Sequence, residues 1–275
     1  MYEEKMTALL TEHYTIESEL LQRPVTIDCF LPKDVAKPDQ MSLLLINDGQ
    51  NMEELGLATI LDELIAGNEI EPIVCVAIHT GKERKIEYGT ASQPDYKGWG
   101  AKANLYTRFI FDELLPFIRN TYLLPSFKEK SFAGFSLGGL SALDIVWNHP
   151  QEFSKVGVFS GSLWWRTKGL DEGYNEGTDR IMHAQVREGE YYPWLKFFFE
   201  TGTQDETMDR NKNGIIDSID DTLSLIDELV AKGYDSDEDI EYLELPDGKH
   251  DIATWARAMP YFLKWGWGMK KVHNS

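Results

Sequence analysis

A serine between two glycines is the first feature of this sequence that suggests chemistry. Ser136 has Gly134 two residues before it and Gly138 two residues after it, with strand character before the turn and helical spacing after it. Such a tight strand-to-helix turn holds a nucleophilic serine clear of the sheet. Leu137 would begin the helix, so its backbone N–H is free to bind a developing oxyanion. A glycine-rich turn without a catalytic role is the alternative.

An acid and a base follow this serine in the order that a nucleophile on such a strand-turn-helix element requires. A serine hydroxyl needs a general base to take its proton, and the base needs a carboxylate to orient it. Asp205 and His250 each follow a strand-like segment downstream of Ser136, which predicts that the three meet at one sheet edge. Glu206 remains open as the acid, and His79, which ends an earlier strand, is the competing base.

Loops at strand ends supply further candidates, because substrate contacts concentrate there. Gln50 follows a buried strand, and we assign its backbone N–H as the second oxyanion donor, with a simple Asp-Gly turn as the alternative. The candidate substrate contacts are cationic or aromatic residues of later loops: Arg84, Tyr88, Trp99, Trp164 and Trp165. Surface exposure or core packing is the alternative for each of them.

The order of predicted elements indicates an α/β fold that would hold these residues in place. Apolar runs typical of buried parallel strands alternate with helical segments, which predicts a mainly parallel central sheet with helices on both faces. Residues 15–21 and 24–31 alternate in polarity and predict an antiparallel N-terminal edge. The other predicted strands are 41–47, 72–79, 129–132, 154–160, 194–200 and 239–245. The predicted helices are 52–66, 103–120 with a kink or early end at Pro116, 140–147, 221–231 and 252–262.

The chain is long enough to bury one large core. Its 275 residues contain no low-complexity linker, so we expect a single domain over residues 1–275. Residues 166–193 are polar and rich in glycine, and they would form either a lid over the site or a surface excursion.

Composition excludes several functional classes. The net charge of −19 repels phosphate backbones and anionic lipids, so we expect neither nucleic acid nor a membrane as a partner. Cys29 and Cys75 lie in apolar runs and are predicted to be reduced core residues. No long apolar stretch or N-terminal leader pattern is found, which favours a cytoplasmic protein.

Residues 209–220 match the spacing of an EF-hand calcium loop. Oxygen-bearing side chains occupy positions one, three, five, nine and twelve, glycine stands at position six, and position seven offers its carbonyl oxygen. The predicted ligands are Asp209, Asn211, Asn213, Ile215, Asp217 and Asp220. The ion would be structural and would brace the loop that carries Asp205. An acidic, asparagine-rich loop without an ion is the alternative.

Several short segments, taken in order, carry a resemblance to a known family. They are Asp48–Gln50, Tyr88–Trp99, Gly134–Gly139, Ser160–Trp165, Gly202–Asp205 and Gly248–Asp251. From about Glu17 to Trp267 the sequence resembles the putative esterase family, which includes esterase D, enterochelin-type siderophore esterases and feruloyl or acetyl esterases. The resemblance implies an α/β-hydrolase fold, a small-molecule ester substrate and no metal in the chemical step.

These observations together predict a serine carboxylic-ester hydrolase. It would work through an acyl-enzyme on Ser136, with His250 as the general base. The alternatives for its specific activity are hydrolysis of a siderophore trilactone or of an acetyl or feruloyl group on a carbohydrate. An acyltransferase and a non-catalytic, calcium-dependent binding module are alternatives from other classes. The sequence does not indicate any protein partner.

Overall fold

One eight-stranded sheet forms the centre of the protein. A computed structural model describes residues 8–33, 35 and 40–269. Its strands are β1 (Leu9–Ser18), β2 (Arg23–Pro32), β3 (Ser42–Asn47), β4 (Ile73–Ile78), β5 (Lys130–Phe135), β6 (Lys155–Phe159), β7 (Lys196–Gln204) and β8 (Ile240–Lys249). They lie in the order β1-β2-β4-β3-β5-β6-β7-β8. The β1–β2 and β2–β4 pairs are antiparallel and all later pairs are parallel, which confirms the predicted α/β class with an antiparallel N-terminal edge.

Helices cover both faces of this sheet. They are α1 (Met52–Leu55), α2 (Leu57–Ala66), α3 (Arg84–Glu87), α4 (Ala103–Phe109), α5 (Leu115–Tyr122), α6 (Leu137–Asn148), α7 (Glu176–Asp179), α8 (Ile181–Glu188), α9 (Asp217–Lys232) and α10 (Ile252–Trp267). One apolar core lies under α4, α5, α6, α8 and α9, and a second lies under α1, α2 and α10. Every residue of β3 and β4 is buried between them, which is why these strands are continuously apolar.

The helical segment that contains Pro116 is continuous but irregular. A π-helical turn at Ile110–Leu114 joins α4 to α5, and Pro116 lies in the first turn of α5. Proline is tolerated there because it has no N–H to donate and the first turn does not require one. The predicted kink is therefore a wider turn just before the proline, and the helix continues to Tyr122.

The first strand differs from the prediction in its limits. The alternating pattern predicts a strand over residues 15–21, whereas β1 begins at Leu9 and ends at Ser18. The chain turns earlier because the Ser18 hydroxyl accepts a hydrogen bond from the Leu21 N–H at 2.9 Å and Gln22 adopts a positive φ of 54°. Local side-chain to backbone bonding has replaced continued strand pairing.

The last two strands are longer than predicted, and the extension brings two chain segments together. β7 continues to Gln204 and β8 to Lys249, and these two residues are register partners. The strands remain paired because their backbones approach very closely at two glycines. A Cβ atom on Gly202 would lie 2.3 Å from the carbonyl of Gly248, so no other residue fits there.

Two smaller expectations concern the cysteines and membrane association. Cys29 and Cys75 are buried and unpaired, as predicted, and burial raises the pKa of the Cys29 thiol to about 11.

Within the described ranges, no helix combines the length and the apolar character needed to cross a bilayer.

Candidate active site

The turn after β5 has the backbone geometry predicted for a nucleophile. Ser136 adopts φ 54° and ψ −122°, which is a strained conformation for a residue with a side chain. A Cβ on Gly134 would lie 2.2 Å from the Gly138 carbonyl oxygen, and a Cβ on Gly138 would lie 2.7 Å from Asp48 Oδ2. Only glycine fits at both positions, so the sequence pattern is a steric requirement of this turn.

A cavity of about 350 Å³ opens beside Ser136 at the carboxyl edge of the sheet. In parallel α/β sheets this edge is where ligands bind, because the loops that follow several strands meet there. The side chains around the cavity include those of Ser136, Ser162, Trp164, Asp205, Glu206 and His250. The structure therefore brings the predicted nucleophile, acid and base to one cavity.

Asp205 and His250 lie close together because of strand register. Each directly follows one member of the Gln204–Lys249 pair, so the two residues leave neighbouring strands at the same level. Within the described part of the chain, no hydrogen bond joins His250 to Ser136 or to Asp205, and the Ser136 hydroxyl lies 3.4 Å from the Ser162 hydroxyl. Catalytic hydrogen bonds are often long before substrate binds. The side chains of Ser136, Asp205 and His250 would have to rotate at the cavity to form theirs.

The two adjacent carboxylates differ in their surroundings. Asp205 Oδ1 accepts a hydrogen bond from the Ser160 hydroxyl at 3.2 Å, and its Oδ2 is buried without a partner among the described residues. Burial raises the pKa of Asp205, and the nearby His250 opposes that rise. Burial also raises the pKa of Glu206, but the neighbouring charges that act on it are those of other carboxylates. Of these two carboxylates, Asp205 is therefore the one whose charge raises the pKa of His250.

His250 lies at the open rim of the cavity. Desolvation by the surrounding protein lowers the pKa of His250, the negative charge of Asp205 raises it, and the positive charge of Arg84 lowers it. The edge of the imidazole faces the Trp255 indole at a centroid distance of 5.3 Å. The next residue, Asp251, caps α10 by accepting a hydrogen bond from the Thr254 N–H, which fixes the chain immediately after the histidine.

Both predicted oxyanion donors belong to first turns of helical segments. Leu137 is the first residue of α6, and Gln50 lies in a short 3₁₀ turn after β3. The N–H groups of a first turn have no acceptor within their own helix. Asn47 connects the two segments, because its Nδ2 donates to the Gly138 carbonyl oxygen at 2.8 Å.

Arg84 and Tyr88 bind Asp48 in the loop that carries Gln50, and neither is among the residues that line the first cavity. The Arg84 guanidinium binds both carboxylate oxygens of Asp48 at 2.7 Å. The Asp48 N–H donates to the Tyr88 hydroxyl at 3.2 Å, and Tyr88 is completely buried. The side chains of these two predicted substrate contacts thus fix the backbone of the loop that carries Gln50, through their bonds with Asp48.

The three predicted tryptophans divide between a second cavity and the core. A cavity of about 320 Å³ shares Trp164 and Glu206 with the first cavity, and Trp99 forms another part of its wall. The Trp99 and Trp164 rings meet edge to face at 6.3 Å. Trp165 is completely buried, and its Nε1 donates to Thr90 Oγ1 at 3.1 Å. Adjacent residues point in different directions here, so only Trp164 of the pair reaches a cavity.

The segment 166–193 lies beside this second cavity. Arg166 and Leu170 contribute to its wall, while α7 and α8 pack on the body of the fold. His183 of α8 is buried and bonds to the Asp221 carbonyl oxygen of α9 at 2.9 Å. Sequence reasoning missed Arg166, although its position directly after the double tryptophan was the available signal.

Side chains of the 209–220 loop converge as they do in a calcium loop. Asn211 Nδ2 and Asn213 Nδ2 donate to the two carboxylate oxygens of Asp220, at 3.0 and 2.8 Å. Both carboxylate oxygens of Asp209 accept backbone N–H groups of the turn, and Gly214 has a φ of 87° that favours glycine. Hydrogen bonds therefore connect positions three and five to position twelve, and position one to the backbone of positions five and six.

Asp217, at position nine, is oriented differently. It is the first residue of α9, and its carboxylate accepts from the Arg210 N–H at 2.8 Å and pairs with the Arg210 guanidinium at 3.3 Å. Across the described residues, no three side chains of the His, Cys, Asp and Glu types are grouped as metal ligands. The loop instead combines two aspartates with two asparagine amides.

Comparison with known proteins identifies the family. Residues 18–265 match the family model described as Putative esterase. The chain belongs to the putative esterase family. This membership supports an esterase activity and confirms the resemblance inferred from the motifs. It also supports a small-molecule ester as the substrate.

Individual relatives of this chain are distant in sequence. It is 23% identical to the uncharacterized protein YjcH of Bacillus subtilis (strain 168), over 86% of this chain and 89% of that protein. A shorter match, 27% identical over 106 residues, covers 38% of this chain and 14% of an endo-1,4-beta-xylanase/feruloyl esterase of Xylanibacter ruminicola.

Solved structures show the same fold. An enterochelin esterase from Shigella flexneri superposes with a TM-score of 0.70 at 22% identity, over 92% of this chain and 57% of that chain. A ferulic acid esterase also gives a TM-score of 0.70, at 18% identity, over 94% of this chain and 98% of that chain. The chain therefore spans little more than half of the first structure and almost all of the second.

Proposed function

We propose that this protein is a serine carboxylic-ester hydrolase that forms an acyl-enzyme on Ser136. The observation that carries the proposal is the meeting of Ser136, Asp205 and His250 at one cavity, from the ends of three separate strands. Their order along the chain is the one used by hydrolases with a strand-turn-helix nucleophile. Membership of the esterase family supports the same reaction class.

The proposed mechanism uses each residue for one task. His250 takes the proton of the Ser136 hydroxyl as the oxygen attacks the ester carbonyl carbon, and Asp205 stabilises the imidazolium that forms. The N–H groups of Leu137 and Gln50 bind the oxyanion. His250 then gives its proton to the leaving alcohol, and water attacks the acyl-enzyme with His250 again acting as the base.

Labelling with a fluorophosphonate tests the nucleophile directly. We expect one covalent adduct on Ser136, located by peptide mass spectrometry, and hydrolysis of a short acyl ester by the same preparation. Folded protein that hydrolyses no ester and forms no adduct would refute the proposal and would favour the calcium-dependent binding module. A product assay with added alcohols separates a hydrolase from an acyltransferase, because only the transferase yields a new ester as the main product.

Ester hydrolysis with His250 as the general base should become slower as the pH falls. Only the neutral imidazole accepts a proton. The rate is therefore highest above the pKa of His250 and falls as the pH drops below that pKa. Because the surrounding protein lowers the pKa of His250 from its usual 6.5, we expect the acidic limb of kcat/KM to have its midpoint below pH 6.5. The measurement is kcat/KM for a neutral ester across pH 4–8 (about one point per half unit).

A second histidine provides the control for this profile. Burial also lowers the pKa of His149, which packs against Phe111 at the far end of α6. The variant His149→Gln should keep the same acidic limb. A midpoint above pH 6.5 in the unmodified protein, or a shift of the limb in H149Q, would contradict the assignment to His250.

Side chains of the second cavity favour one substrate type over simple short esters. The Arg166 guanidinium stacks on Tyr96 at 4.8 Å, and the Lys97 ammonium lies 5.2 Å from the Trp99 centroid. In the part of the chain that the structure describes, neither cation forms an ion pair with a carboxylate. Aromatic walls with cations that have no carboxylate partner among the described residues suit an aromatic acyl or alcohol group that carries a phenol or a carboxylate.

A substrate panel distinguishes the candidate activities. Short-chain acyl esters, acetylated and feruloylated sugars, and siderophore lactones should be compared by kcat/KM on the same preparation. A preference for the feruloyl or siderophore substrates over acetyl esters would support the role proposed for the second cavity. Equal rates for all of them would contradict that role and would leave only a general esterase activity.

The 209–220 loop is proposed to bind calcium as a structural ion. Hydrogen bonds within the loop hold Asp209, Asn211, Asn213 and Asp220 near one another, so these residues would offer their side-chain oxygens to the ion, and Ile215 would add its carbonyl oxygen. Asp217 would take part through water, as position nine often does in such loops. The residues present fit the ion, and α9 follows directly as the exiting helix.

Chelation should therefore lower thermal stability. An ion bound only by the native state contributes about 2–3 kcal/mol when its concentration is ~100 times Kd, which is a Tm change of about 5–10 °C for a chain of this size. The measurement is Tm with calcium and with EGTA. Asp220→Ala should abolish the response to calcium, whereas Asp227→Ala, an exposed acid on the same helix, should retain it. An unchanged Tm and no bound calcium would contradict the proposal.

A further inference from the structure

A buried carboxyl group lies behind the proposed catalytic acid. Glu200 is completely buried on β7, where its register partner is Phe159 of β6. It forms no ion pair within the described residues, and its Oε1 has no hydrogen-bond partner there. A buried carboxylate without a cation is costly, whereas a neutral carboxylic acid is tolerated. The function of Ser136 as a nucleophile does not by itself require this group.

Ser160 connects Glu200 to Asp205. Its hydroxyl oxygen lies 3.2 Å from Asp205 Oδ1 and 3.4 Å from Glu200 Oε2, and it accepts a hydrogen bond from Trp255 Nε1 at 3.1 Å. Ser160 is buried and has a φ of 44°, an uncommon conformation for a serine. Strain of this kind is retained only where the surrounding structure holds the residue in place.

Counting hydrogens at this hydroxyl decides which group carries a proton. A serine hydroxyl has one hydrogen to donate and two lone pairs to accept. The Trp255 indole can only donate, so it uses one lone pair. The hydrogen satisfies either Asp205 or Glu200. The other carboxyl group forms a hydrogen bond with Ser160 only if it is protonated and donates to the second lone pair.

We propose that Glu200 is a positioning residue that stays protonated and donates to Ser160, so that the only hydrogen of Ser160 is directed to Asp205. The assignment of the proton to Glu200 follows from location, because Asp205 faces the cavity and His250 while Glu200 is sealed in the interior. Glu200 thereby holds the catalytic carboxylate in place without touching substrate. The inference rests on the proposed serine mechanism and extends it to a group outside the cavity.

The charges that face Glu200 support a proton on it at neutral pH. Burial, together with the negative charge of Asp205, raises the pKa of Glu200 to about 8. Arg257 of α10 opposes this rise but forms no ion pair with Glu200 within the described residues. On β8, the charge of Glu200 acts on Tyr242, whose hydroxyl lies 2.7 Å from Thr201 Oγ1.

Ionisation of Glu200 would disturb the site in a specific way. Above about pH 8 two carboxylates would compete for one Ser160 hydrogen and would repel each other across it. Asp205 would lose its fixed position, and a misplaced catalytic group costs on the order of tenfold to a hundredfold in rate. The unmodified enzyme should therefore lose kcat/KM above about pH 8, in addition to the acidic limb set by His250.

Two substitutions at Glu200 test the proposal. In Glu200→Gln the amide N–H₂ donates to Ser160 as the acid does but cannot ionise, so kcat at pH 7 should stay within about threefold and the alkaline fall should disappear. In Glu200→Met the donor is lost with little change in volume, and kcat should fall about tenfold or more with KM unchanged. Asp144→Asn, which alters another buried carboxyl outside the cavity, should keep the alkaline fall.

Three other results with these variants would contradict the proposed role of Glu200. A loss in E200Q as large as in E200M, an alkaline fall that persists in E200Q, or no alkaline fall in the unmodified enzyme would overturn the role of Glu200. Tm values for all variants show which of them are folded. These results are distinct from a failure of the proposed function, in which the unmodified protein itself would neither hydrolyse esters nor react with a fluorophosphonate at Ser136.

Discussion

Replacement of Ser136 by alanine should reduce ester hydrolysis on the order of 10⁴-fold or more, because the attacking oxygen is removed. The substitution deletes one hydroxyl at a position that already has a backbone φ of 54°, so the fold should be retained. The measurement is kcat/KM for the best ester of the substrate panel, together with Tm and fluorophosphonate labelling. The variant should show native-like melting and no adduct.

Ser162 offers a matched control for this experiment. Its hydroxyl lies 3.4 Å from that of Ser136 at the same cavity, yet it follows a different strand and lacks the flanking glycines of the turn. Ser162→Ala should still be labelled on Ser136. An adduct on Ser162, or full activity in folded S136A, would refute the assignment of the nucleophile.

The second large effect is expected at the catalytic acid. Asp205→Asn should lower kcat about 10⁴-fold, because an amide cannot stabilise the imidazolium and favours the wrong tautomer of His250. Glu206→Gln should change kcat by less than about tenfold, since the charges acting on Glu206 come from other carboxylates and not from His250. Measuring kcat and KM for both variants with one ester decides between the two adjacent acids.

The pair of variants also has a clear contrary outcome. If Glu206→Gln lost as much activity as is expected for D205N, and Asp205→Asn remained active, Glu206 would be the acid. The strand register that brings Asp205 and His250 to the same level would then have no role in catalysis. Fluorophosphonate labelling of both variants at Ser136 would show whether the nucleophile is still accessible in each.

Local patterns determined the reaction class and the general architecture. The glycines around Ser136 and the apolar patterns of the strands and helices are short-range features of the chain, and the order of Ser136, Asp205 and His250 is read directly from the sequence. They are readable because steric limits and apolar periodicity act over a few residues. The same is true of the spacing in residues 209–220, whose calcium occupancy stays a prediction.

Long-range packing decided which side chains face the site. Arg84 and Tyr88 are pocket candidates in the sequence, but in the structure Arg84 forms an ion pair with Asp48 and Tyr88 is completely buried. Trp165 turns into the core while Trp164 reaches the cavity. A single sequence does not reveal such directions, because they depend on neighbours far away along the chain.

The sequence predicts that the proposed acid and base meet at one sheet edge, but only the tertiary structure shows the strand register that brings Asp205 and His250 to the same level. Gly202 and Gly248 allow two backbones to approach so closely that β7 and β8 stay paired through residues that read as loops in the sequence. The role proposed for Glu200 could not be predicted from its apolar strand. Glu200 is connected to Asp205 only through the hydroxyl of Ser160, which follows the neighbouring strand. The sequence by itself determined which chemical groups are available, and pairing between distant strands decided which of them meet.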